Sequence, residues 1–141
     1  MLLMPAPASR LYFNNPVGRV MEHPDGYAHV IYEPGARQLH HLQAFLTHTG
    51  QLLRLRGWHK LLGDQRQLAP YTPEESQWIV DYWLTAEQRG THTIYGAVVL
   101  PQDVFARLSV SEIMSEAKAA ALTYRLFDSE ETAQDWLRQL P

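Results

Sequence analysis

Asp64 and Arg66, two positions apart in the run Leu62-Gly63-Asp64-Gln65-Arg66, are the pair whose types and placement best fit a binding function. They follow an apolar run that reads as a strand, so they fall at a strand's carboxyl end, where open α/β sheets place their crevices. A carboxylate beside a guanidinium offers charge complementarity to a partner. The plainer role is an ion pair that ties down the loop running to Tyr71. Among possible acids and bases, Asp64, Asp81, Glu74 and Glu75 stand out. The two glutamates fall in the first turn of an expected helix, where the helix dipole favours negative charge without any catalytic role. No serine sits in a G-x-S-x-G elbow, no G-x-G-x-x-G loop is present, and cysteine is absent. The chain is therefore read as a non-enzyme.

Seven histidines raise the question of a metal. His40, His41 and His48 fall on one expected helix, where a shared ion needs spacings of three or four. His41 and His48 are seven apart, about 10 Å along the axis, so solvated or hydrogen-bonded rings are the reading. No metal and no cofactor are expected.

The elements that must hold these residues follow from periodicity. Residues 11–14, 18–22 and 27–33 read as strands, with Asp25-Gly26 a strong hairpin signal between the last two. Apolar groups on both faces of 27–33 place it inside the sheet. A helix over 37–55 carries Leu39, Leu42, Leu46, Thr49 and Leu53 at spacings of three and four. Gly50 lies inside it, for close approach to the sheet or for a kink, and Gly57 is the stop. Residues 58–62 form the next strand. Thr72, Pro73 and Glu75 then spell a capping box with proline at the first helical position. That helix presents Trp78, Ile79, Tyr82, Trp83 and Ala86, and closes at Gly90. Its aromatic group reads mostly as core, with one tryptophan available as an exposed anchor. Residues 93–100 are a near-continuous apolar strand ending at Pro101. A short helical turn over 103–108, a helix starting at Ser109 or Ser111 and running to Ala121, a strand over 122–127 and a final helix capped by Asp128 or Ser129 complete the order. Strand, crossover helix, strand is the unit of a largely parallel sheet.

At 141 residues the chain suits one domain, read as a loose proline-containing leader over 1–9 and an α/β domain over 10–141. The formal charge of −3 argues against nucleic acid, which needs a clustered basic face. Arg54, Arg56, His59 and Lys60 are too few for one and read as a solvated helix end. No run approaches the roughly 18 apolar residues of a membrane span. With no cysteine and no signal-like start, a reducing cytoplasm is the expected compartment.

Four segments together carry a family likeness: Leu62-Gly63-Asp64-Gln65-Arg66-Gln67-Leu68, Tyr71-Thr72-Pro73-Glu74-Glu75-Ser76-Gln77-Trp78-Ile79, Ala97-Val98-Val99-Leu100-Pro101-Gln102-Asp103-Val104-Phe105, and Phe127-Asp128-Ser129-Glu130-Glu131-Thr132-Ala133-Gln134-Asp135-Trp136-Leu137. In this order they resemble the SpoIIAA-like or STAS superfamily, the anti-sigma-factor-antagonist fold, over about residues 11–140. The resemblance implies a single-domain α/β fold with a mixed, mostly parallel sheet of about five strands and helices mainly on one side. It also implies a non-catalytic module that binds a partner kinase and is switched by a phosphoserine in an Asp-x-Ser-like motif. Here that motif is Asp64-Gln65-Arg66, and a guanidinium cannot accept a phosphoryl group, so the usual switch is not expected. Thr72 reads as a helix cap rather than a substitute.

The expected function is a regulatory or protein-interaction module that binds a protein partner, or itself, through Asp64, Arg66, Tyr71 and Ser76. The alternative is a carrier or sensor of a small apolar, lipid-like ligand. That alternative requires an apolar cavity between the sheet and the helices over 37–56 and 111–121.

Overall fold

The computed structural model describes residues 8–85, 93–116 and 122–141. The chain forms β1 (Arg10–Asn15), β2 (Gly18–His23), β3 (Tyr27–Tyr32), α1 (Leu39–Arg56), β4 (Lys60–Asp64), α2 (Pro73–Leu84), β5 (Ile94–Val99), α3 (Val104–Glu116), β6 (Leu122–Phe127) and α4 (Glu130–Gln139). The strands make one sheet in chain order. The first three pair antiparallel, and β3 to β6 pair parallel. All six strand-like stretches of sequence are used, so the sheet has six strands where the family likeness implied about five. β4 and β5 lie side by side in the same direction, with Leu62 opposite Ala97.

Local chemistry sets the ends of these elements. Gly26 takes φ +86° in the β2–β3 turn, and its N–H donates to the His23 carbonyl at 3.0 Å. Gly57 adopts φ +66° after α1, the left-handed conformation that ends a helix without a Cβ clash. Thr72 and Glu75 form a reciprocal capping box on α2, with Pro73 in the first turn. α2 ends at Leu84 with Thr85 as its C-cap; Ala86 and Gly90, assigned to it from sequence, lie outside the described residues. Ser129, rather than Asp128, caps α4.

One helix boundary differs from expectation. α3 is continuous from Val104, so neither Ser109 nor Ser111 begins it. Asp103 Oδ1 accepts the Ala106 N–H at 2.9 Å and supplies the cap. Ser109 Oγ donates back to the Ala106 carbonyl at 3.0 Å, which lets a serine sit inside the helix. The part of this helix expected over 117–121 lies outside the described residues.

Strand alternation splits the core in two. Val30, Tyr32, Leu61 and Ile94 face α1, α2 and α3, joining Leu42, Phe45, Leu53, Ile79, Trp83 and Val110. Tyr27, Leu62, Ala97 and Val99 face α4, joining Ala133 and Leu137. Among the described residues, three helices thus cover one side of the sheet and a single helix the other. Each fully buried side chain such as Phe45 or Leu42 contributes about 1.5–3 kcal/mol from removal of apolar surface from water. No helix among the described residues is long and apolar enough to cross a membrane.

Candidate functional site

The carboxyl end of β4 sends consecutive side chains to opposite faces of the sheet. Asp64 follows Leu62 toward the α4 side, while Gln65 continues the Leu61–Gly63 row toward α1, α2 and α3. The four residues expected to form one surface are therefore divided between two places.

On the α4 side, Arg66 grips Asp64 with two side-chain bonds, Nε to Oδ1 at 2.9 Å and Nη2 to Oδ2 at 2.7 Å. Its backbone N–H donates to the same Oδ1 at 3.2 Å. Burial alone pushes the Asp64 carboxyl up, but the hydrogen bonds and charge of Arg66 together hold it below the usual range. Such a carboxylate is a weak base, so the pair provides fixed charge rather than proton transfer. Glu130, at the start of α4, reaches Arg66 Nη2 at 3.5 Å and His29 Nε2 at 3.3 Å. His29 Nε2 is nonetheless buried without a geometrically formed hydrogen bond. Burial holds the His29 imidazole below its ordinary value, with Glu130 only partly opposing. His23 stacks on Tyr27 with ring centroids 4.1 Å apart and edges toward His29 at 6.3 Å. Sequence reading misses His29 and Glu130 here. The period-two pattern of β3 is a usable signal for His29, whereas the position of Glu130 depends on where α4 docks.

Tyr71 lies on the other side of the sheet and is buried. It does not offer the surface contact expected of it, because its ring is turned beneath α2 and covered by Arg37, whose Cζ stands 4.9 Å from the ring centroid. Burial raises the Tyr71 hydroxyl well above the ordinary tyrosine range, and its bond to Tyr32 adds to this. Ser76 sits in the second turn of α2, half-buried, with its N–H bonded to the Thr72 carbonyl at 2.9 Å. It belongs to the helix start and not to the Asp64–Arg66 pair.

Tyr71 helps line a mainly apolar cavity of about 70 Å³ between the sheet and the three-helix layer. Val30, Leu61, Val98, Leu46, Ile79 and Met114 supply its apolar walls, with Gly63 and Gly96 in the floor. The register explains the hollow: Val30, Gly63 and Val98 form one row across the strands, and Leu61 and Gly96 the next. A Cβ added at Gly63 would meet nothing among the described residues within 4 Å.

A third feature lies at the start of α3. Val104, Phe105 and Leu108 are 74%, 72% and 58% exposed. The Gln102 N–H donates to the Arg66 carbonyl at 3.1 Å, which joins this end of α3 to the Arg66 loop. By contrast, Tyr82 and Trp83 are buried and Trp78 is partly buried against the core, so no tryptophan of α2 projects as an anchor.

Among the described residues no group of three or more His, Asp or Glu side chains is arranged to hold a metal ion. His48 instead stacks on Phe13 at 3.8 Å and contacts the Ala44 carbonyl at 2.7 Å. The chain matches no family model, no curated protein and no solved structure.

Proposed function

We propose that this chain is a non-enzymatic interaction module of the SpoIIAA-like or STAS kind, and that it docks a protein partner through the first two turns of α3 and the adjoining Arg66 loop. The observation that carries this reading is the exposure of Val104, Phe105 and Leu108 on one short helical stretch. Single exposed apolar residues are ordinary, but three within five positions make a patch of the type that marks interaction surfaces. Arg107 precedes Leu108 in the helix, Arg66 is joined to its start through the Gln102–Arg66 backbone bond, and both arginines, each nearly half exposed, favour a partner that presents an apolar surface with carboxylates at its rim. An aromatic anchor beside arginines is the composition of binding hot spots. The order of elements and the mixed sheet support the family likeness. Arg66 in place of the phosphoacceptor serine leaves docking by shape and charge, without the phosphoryl switch.

Capture of a partner by the wild type should be lost with Phe105→Asp and reduced with Arg66→Glu. Leu55→Asp, placed at a residue 67% exposed on α1, should bind as the wild type does. Equal capture by all four proteins at unchanged melting temperature would remove this surface. Self-association is read in the same samples by light scattering; a dimer lost with Phe105→Asp would make the partner a second copy.

A further inference from the structure

Gln65 is a buried polar side chain on the inner face of the sheet. It is 7% exposed, it lines the cavity between the sheet and the three-helix layer, and its Oε1 has no hydrogen-bond partner among the described residues. An unpaired buried acceptor has given up its hydration without a hydrogen bond in exchange. The floor beside it is bare as well, since a methyl group at Gly63 would meet no atom of the described residues within 4 Å. A strand-interior glycine with free space over it forgoes packing that alanine would provide. An unfilled floor and an unpaired acceptor at one place are two independent defects of packing, and a bound molecule would remove both.

The lining defines what fits. Among the described residues no charged side chain faces the cavity, so an ionised ligand would be buried without a counter-charge. Tyr32 and Tyr71, both on its wall, keep their protons because burial raises both hydroxyls. An apolar cavity of about 150 Å³ accepts benzene; at about 70 Å³ this one has no room for an acyl chain. We propose that the cavity is a binding site for a compact, uncharged molecule with a small apolar body over Gly63 and Gly96 and one hydroxyl or amide N–H donated to Gln65 Oε1. The site is separate from the exposed residues of the α3 docking surface, and a much smaller molecule takes the place of the lipid-like ligand of the alternative reading from sequence.

Titration of ¹⁵N-labelled protein with propan-2-ol and with acetamide tests this. Saturable shifts of the Gly63 and Gly96 amides are expected for at least one of the two probes. Gln65→Met, which keeps the length and removes the acceptor, should weaken that probe by roughly tenfold. Gly63→Ala should remove the saturable response while the protein melts no lower than the wild type, which keeps the test valid if Gln65→Met folds poorly. Linear shifts with both probes, as expected where water alone occupies the cavity, would overturn the proposal. So would equal saturation by wild type and Gly63→Ala.

Discussion

Arg37 and Glu75 form a buried ion pair across 38 positions of sequence, with Nε to Oε2 and Nη2 to Oε1 both at 3.0 Å and side chains only 3% and 4% exposed. The same guanidinium donates to the carbonyls of Ala69 and Pro70, each at 3.0 Å. Glu75 Oε1 also accepts the Thr72 N–H at 2.8 Å. One arginine before α1 thereby fixes the loop after β4, the start of α2 and the ring of Tyr71. Removing one partner leaves the other charge buried and alone, which costs about 3–5 kcal/mol. Arg37→Met should lower stability by that amount in urea unfolding. Arg37→Met/Glu75→Gln should recover part of the loss, because the glutamine amide retains a capping oxygen and leaves no stranded charge.

Gly50 is required by contact rather than by conformation. A Cβ there would meet the hydroxyl of Tyr82, which bonds to the Leu46 carbonyl at 3.1 Å. The close approach expected at this glycine is therefore to α2 and not to the sheet. Alanine would add about 1 kcal/mol of helix propensity, yet Gly50→Ala should destabilise by about 1–3 kcal/mol through overpacking. Thermal unfolding of the single variant decides the sign.

Gly63 is the opposite case. Gly63→Ala should raise stability by about 0.5–1 kcal/mol, since the strand loses a glycine and the new methyl enters space left open by the described residues. A fall in melting temperature would show that the floor of the cavity is tighter than its geometry indicates.

Burial holds both His29 and His23 below the ordinary imidazole value of 6.5. Their neutral forms are thus favoured in the folded chain, and the unfolded chain takes up protons first as pH falls. Stability should be full above about pH 6.5 and decline below it until the folded imidazoles also titrate. Asp64, held below its ordinary 3.8, adds a second decline as pH falls below that value. Urea midpoints measured from pH 7.5 to 5, a range of roughly one unit above and one and a half below the free imidazole value, should drop for the wild type and flatten for His29→Gln/His23→Gln.

Much of the fold is legible because its signals are local. The capping box at Thr72, the Asp25-Gly26 turn and the apolar run at β5 each act within a few residues. The Asp64–Arg66 pair is legible for the same reason. The grouping of Asp64, Arg66, Tyr71 and Ser76 as one surface does not survive, because adjacency in a loop does not decide which side of a sheet a ring or carboxylate takes. Gln65 is inconspicuous between two charged neighbours, although continuing the alternation of β4 by one residue puts it on the inner face. Glu130 and Arg37 reach partners far away along the chain, Arg66 and Glu75, at separations where periodicity carries no information.

The two-sided ending of β4 makes chain length there unforgiving. Inserting or deleting one residue between Gly63 and Arg66 would exchange inside for outside, driving a carboxylate into the oily hollow and leaving an amide among the salt links. Length variation in this fold is therefore expected a few positions onward, past Arg66, where the polypeptide has left the ladder.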